Sequence, residues 1–114
     1  MLPKKHRIQR KDFDRFFTSA RPHHTPSLSI RIAPIPTGDT HQLTQCSGVI
    51  SKKVSKLSPV RHLIRRRIYV ILREYISHIP PSAIIVHAKK GGNFSFDNLK
   101  REIDGVMVKV FEVK

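Results

Sequence analysis

Apolar and polar positions follow two periods along this chain. In KDFDRFFTS, residues 11–19, Phe13, Phe16 and Phe17 stand at i, i+3 and i+4, the spacing of one helical face. A first helix is predicted there, stopping before RPHHTP. SLSIRIA switches to period two: Leu28, Ile30 and Ile32 alternate with Ser29 and Arg31, which predicts a half-buried strand ended by Pro34 and Pro36. QCSGVIS predicts a second strand beyond a polar loop at 37–44. The period of 3.6 returns from Pro59 to about Ser77, a helix with Ser58 as N-cap and Pro59 at its first position, ending before Pro80 and Pro81. SAIIVHA reads as a buried strand and KKGGNFS as a turn. The last helix has Ser95 as N-cap, Asp97 at the positive end of its dipole, and Leu99, Ile103, Val106 and Val110 as its buried stripe. The elements run α-β-β-α-β-α, so an α+β sandwich is expected, one sheet with helices packed on it, formed by residues 1–114 as a single domain.

The central helix resolves into two faces at about 100° per residue. Val60, Ile64, Ile68, Ile71, Leu72 and Tyr75 cluster on the side expected to meet the core. His62, Arg66, Tyr69 and Arg73 fall opposite, with Arg65 on the edge beside them.

Charge changes the picture. The chain carries 22 Lys+Arg against 8 Asp+Glu, a formal charge of +14, and self-repulsion on that scale implies a polyanionic partner. From Arg15 to Phe96 there are thirteen basic residues and two acids, Asp39 and Glu74. A merely solvated helix face mixes signs; this one lacks acids to pair with, and arginine suits both phosphate and stacked bases. RNA or DNA contact is therefore preferred to a solvated face.

Other chemistry is weakly signalled. No uninterrupted apolar run exceeds five residues, the longest being IYVIL at 68–72 and AIIV at 83–86, so neither a signal peptide nor a membrane-spanning helix is expected. The single cysteine, Cys46, fits a reducing compartment, and a cytoplasmic protein is expected. His23, His24, His41 and Cys46 match no zinc-binding spacing, and no metal site is expected on the protein. Cys46 lacks the partners of a nucleophile and reads as a buried strand residue. KKGGNFS lacks the spacing of a phosphate loop and reads as a turn whose Lys89 and Lys90 can touch an RNA backbone. A free-standing nuclease would need clustered carboxylates for magnesium, which the basic region does not offer. No catalytic residue is expected, and a small basic RNA-binding protein of ribosomal type stays open.

Four stretches together resemble the bacterial ribonuclease P protein subunit: MLPKKHRIQRKDFDRFF, VISKKVSK, VRHLIRRRI and FSFDNLKREI. The resemblance covers nearly the whole chain. It implies a protein that assists a catalytic RNA in removing the 5′ leader from precursor transfer RNA, with the RNA carrying the chemistry through magnesium and the protein alone inactive. Its partners would be the RNA subunit and precursor transfer RNA, with no membrane and no obligate protein partner. It implies a left-handed crossover joining the strand near Val49, the helix from Pro59 and the strand at 83–88, against a strong general rule. It places the leader in a cleft between sheet and first helix, where Phe13 and Phe17 match the family's aromatic pair and would stack on unpaired bases. The same two rings also fit an ordinary core face, and Phe16 fits the core better.

Lys52 and Lys53 match the lysines at the family's strand exit. Arg61 matches the first residue of its Arg-Asn-Arg motif, and Arg65 and Arg66 the basic pair behind it; the helix would face the RNA subunit. The chain departs from the motif at His62, Leu63 and Tyr69, in place of an asparagine and two arginines, and the link before the motif is one residue longer. Arg67 and Arg73 lie four residues beyond Leu63 and Tyr69, so each missing guanidinium could be supplied from one turn along.

Overall fold

The computed structural model describes residues 6–8, 10–34, 44–80 and 82–111. The elements are α1 (Arg10–Ser19), β1 (Arg21–His24), β2 (Leu28–Pro34), β3 (Gln45–Val49), α2 (Ser58–Arg73), β4 (Ser82–Ala88) and α3 (Phe96–Phe111). All six expected elements are present in the expected order, and β1 is an addition. Four strands form one mixed sheet in the order β1-β2-β4-β3. β1 and β4 each pair antiparallel with β2, while β3 and β4 are parallel and joined through α2.

β4 lies inside the sheet, paired on both edges, and its residues 82–86 are buried. This is why its apolar run is continuous rather than alternating. β2 does alternate. Leu28, Ile30 and Ile32 join Ile84, Val86, Ile64, Ile68, Leu72, Leu99 and Ile103 in the larger core, between the sheet and the α2/α3 layer. Ala33 faces the other way, into a smaller core made with Ala83, Ile85, Ala20 and Phe16 under α1. Among the described residues, α2 and α3 thus pack on one face of the sheet, and α1, with Ile8 beside it, on the other.

β1 escapes the period-two pattern because it is a polar edge strand, RPHH, with a proline that only an edge tolerates. Residues 21–24 are a strand where the sequence pattern predicts no element.

The central helix differs from expectation at both ends. Leu57, not Ser58, is its N-cap, without a side-chain hydrogen bond, and the first turn closes through Val60 and Arg61 N–H groups on the Leu57 carbonyl at 3.1 Å. The regular helix ends at Arg73, after which Glu74 and Tyr75 N–H groups bond to the carbonyls of Ile71 and Leu72 in a tighter turn. Val60, expected in the core, is 37% exposed in that first turn. Ser95 caps α3 as expected: its hydroxyl accepts the Asn98 N–H at 3.3 Å. No helix among the described residues is long and apolar enough to cross a membrane.

Candidate nucleic-acid interface

Among the described residues α1 is the one helix on its face of the sheet, and Arg31 and His87 beside it are only partly buried. Phe13 and Phe17, one turn apart, project there with ring centroids 6.0 Å apart and nearly parallel. His87 of β4 meets both rings edge-on, at 6.4 Å from Phe13 and 5.6 Å from Phe17. The Arg31 guanidinium of β2 lies 4.1 Å from the Phe17 ring centre, within cation–π range. Phe16, on the adjoining side of the helix, is 4% exposed in the core beneath. The three phenylalanines therefore divide: Phe16 anchors α1, while Phe13 and Phe17 stay half-buried in an aromatic, basic cluster.

Burial first, and then the charge of Arg31, lowers the His87 pKa below its ordinary value. A neutral imidazole and a guanidinium thus lie, both partly buried, against the two phenylalanine rings, a combination suited to stacked bases and phosphates. Neither residue was singled out in the sequence. The available signal is that each is the one basic or titratable side chain of its strand, on the sheet face that carries α1.

Lys52 and Lys53 are exposed in the turn that follows β3. On α2 the expected basic stripe splits. His62, Arg66 and Arg73 are exposed. Arg61 donates to the Ser55 carbonyl at 2.9 Å, bracing the turn before the helix. Arg65 donates from Nε to the Gly48 carbonyl at 3.2 Å, with its Nη1 3.3 Å from Nδ1 of His62. Arg67 donates to the Phe94 carbonyl at 2.8 Å, tying α2 to the turn before α3. Its placement one turn beyond Leu63 thus serves a contact within the protein.

Tyr69 requires a correction. It is 6% exposed, packed in the larger core rather than on the outer stripe, and its hydroxyl accepts the Gly48 N–H at 3.2 Å. A Cβ on Gly48 would come within 3.3 Å of Arg65 Cγ, so the close approach of α2 to β3 relies on glycine there.

Among the described residues, no three His, Cys, Asp or Glu side chains gather as metal ligands. Cys46 is buried in the larger core, and burial pushes its thiol pKa up to about 12, as fits an inert strand residue. His41 of the zinc combination and Asp39 lie outside the described residues. In the turn after β4, Gly91 takes a φ of +80° and Lys89 donates to the Thr25 carbonyl at 2.7 Å, while Lys90 is exposed.

A model of the ribonuclease P family matches residues 2–110. A ribonuclease P protein component from Picosynechococcus is 35% identical over 88 residues, covering 76% of this chain and 72% of that protein. One from Streptomyces griseus is 29% identical over 115 residues, covering 94% and 93%. Among solved structures, the Staphylococcus aureus RNase P protein superposes with a TM-score of 0.78 at 22% identity, over 93% of this chain and 97% of the other. The Thermotoga maritima RNase P protein gives 0.73 at 16% identity, over 91% and 96%. Both are likenesses of fold.

Proposed function

This chain belongs to the ribonuclease P protein family, and on that premise we propose that it is the protein subunit that helps a catalytic RNA remove the 5′ leader from precursor transfer RNA. The observation that carries this reading is the cluster of Phe13, Phe17, Arg31 and His87 on the sheet face beside α1. An unpaired leader has π-faces and phosphates but no fixed shape. Rings that stack without reading sequence, flanked by a guanidinium, suit such a ligand whatever its bases.

Exposed Lys52 and Lys53 add positive charge to the turn beyond β3, and exposed His62, Arg66 and Arg73 give α2 an outer stripe for the RNA subunit. Arg61, Arg65 and Arg67 hold the helix in place by bonding to carbonyls of Ser55, Gly48 and Phe94. Phosphodiester hydrolysis is assigned to the RNA, with magnesium bound through it. The role of these protein residues is to bind and orient the leader and to raise affinity by neutralising phosphates. The protein works in the cytoplasm, with the RNA subunit and precursor transfer RNA as its partners.

Cleavage of precursor transfer RNA at low magnesium, with RNA subunit alone, protein alone, and both together, tests this. Cleavage should need the RNA and rise strongly with protein; cleavage by the protein alone would overturn the reading.

A further inference from the structure

A groove of about 790 Å³ runs between α3 and the turn joining β1 to β2, away from the Phe13–Phe17 cleft. Register shows the separation: His23 and Arg21 pair with Ile30 and Ile32, which point to the α2/α3 layer. Beside it lies a second hollow of about 470 Å³, bounded by apolar Ile32, Val110 and Phe111 and by Arg21. His23 and Lys109 border both, so the two hollows adjoin along the edge strand.

The α3 wall is built in an unusual way. Arg101, Gly105 and Lys109 stand at i, i+4 and i+8 on one helical face, so two exposed cations bracket a residue without a side chain. Glycine inside a helix is destabilising relative to alanine. Nothing lies within 4 Å of a Cβ built on Gly105, so no neighbour demands glycine, and its effect is to keep the groove open.

Among the described residues, the one acid on the lining of either hollow is Glu102, and protein donors occupy it. One carboxylate oxygen accepts the Ser27 N–H at 2.9 Å and the other accepts the Asn98 amide. Burial alone would raise its pKa, but the hydrogen bonds from Thr25, Ser27 and Asn98 outweigh it and hold the carboxyl ionised, below its ordinary range. The remaining charge at the rim is positive. His23 stays neutral, through burial first and then the nearby charges of Lys109, Arg21 and His24. A flat neutral ring beside cations and an apolar hollow suits a base with its phosphates better than an acidic peptide, which offers charge without a planar apolar face.

We infer that this groove is a second site for unpaired RNA, with phosphates held by Arg101 and Lys109 and a base seated between Gly105 and the His23 ring. The inference rests on the proposed function only for the class of ligand. The unpaired segment could come from the RNA subunit or from the precursor.

The test uses the full chain carrying Phe17→Ala, which weakens the leader cleft, and a fluorescent hexauridylate. Gly105→Leu should reduce the remaining affinity by about tenfold, the size of one lost stacking contact, and the pair Arg101→Ala with Lys109→Ala by more than that, since two phosphate contacts go. All three positions are exposed, and thermal unfolding should show that the fold survives. Unchanged hexauridylate affinity in both variants, or equal competition by hexaglutamate, overturns the inference. If Phe17→Ala leaves precursor binding intact, the leader reading fails, while the groove variants still report on their own site. Thiouridine cross-links from labelled RNA subunit and from labelled precursor, run separately, identify the source by which one marks the Lys109 peptide; absence from both overturns the inference.

Discussion

The Tyr69 hydroxyl accepts the Gly48 N–H at 3.2 Å, so a side chain of α2 satisfies the backbone of the edge strand β3. Arg65 completes the clasp from the same helix by donating to the Gly48 carbonyl. Both polar groups of one strand residue are thereby paired with α2, which matters because a buried backbone group without a partner is costly. Tyr69→Phe should lower unfolding free energy by about 1–2 kcal/mol, since the Gly48 N–H then loses its partner. Urea denaturation measures this. RNA-subunit affinity of the folded variant should stay near the parent's, and a selective loss of affinity at unchanged stability would return Tyr69 to the RNA surface.

The three phenylalanines of α1 should separate by experiment. Phe16→Ala should destabilise the fold by about 3–5 kcal/mol, as for a ring deleted from a core. Phe13→Ala and Phe17→Ala should weaken binding of precursor more than of mature transfer RNA, by about 1–3 kcal/mol each if one base stacks on each ring. Equal losses for both RNAs would make the two rings structural.

On α2, exposed and anchored arginines should behave differently. Arg66→Ala should weaken RNA-subunit binding and reduce the slope of log affinity against log salt by about one unit, the mark of a lost phosphate contact. Arg73→Ala should do the same. Arg67→Ala should lower stability by about 1.5–3 kcal/mol through the lost bond to the Phe94 carbonyl, with little change in slope. A slope unchanged in Arg66→Ala, or reduced only in Arg67→Ala, would reverse the assignment.

His87 makes the fold sensitive to mild acid. Its pKa is lowered in the folded protein, by burial first and by Arg31 second, so the unfolded chain binds more protons below the ordinary value of 6.5. The stability contributed by the neutral ring is complete above that value and is lost as pH falls toward the folded pKa. The midpoint of thermal unfolding should therefore drop as pH falls below the ordinary value of 6.5. His87→Gln should flatten part of that slope, with His23, lowered for similar reasons, supplying another part. An identical slope in His87→Gln would show that the ring titrates normally.

What could be read from the sequence was whatever local periodicity decides. Alternation at Leu28, Ile30 and Ile32 determined which face of β2 is buried, because side chains on a strand have only two directions. The Ser95 cap and the Leu99–Ile103–Val106 stripe determined α3 in the same way, within a single helix. Periodicity, element by element, also carried the order α-β-β-α-β-α, and the family resemblance carried the pairing of Phe13 with Phe17. Tertiary structure decided what depends on residues distant in the chain. Tyr69 stands about 140° round the helix from Ile64 at 100° per residue, a boundary angle that is buried only if a neighbour covers it. The neighbour is β3, brought there by parallel pairing with β4. Arg31 and His87 lie on separate strands and become one site because both border β2–β4 pairing under Phe17. β1 has no pattern of its own, since a polar edge strand takes its conformation from the hydrogen bonds of β2. Burial at such positions is a property of pairs far apart in sequence, and periodicity within one element cannot encode it.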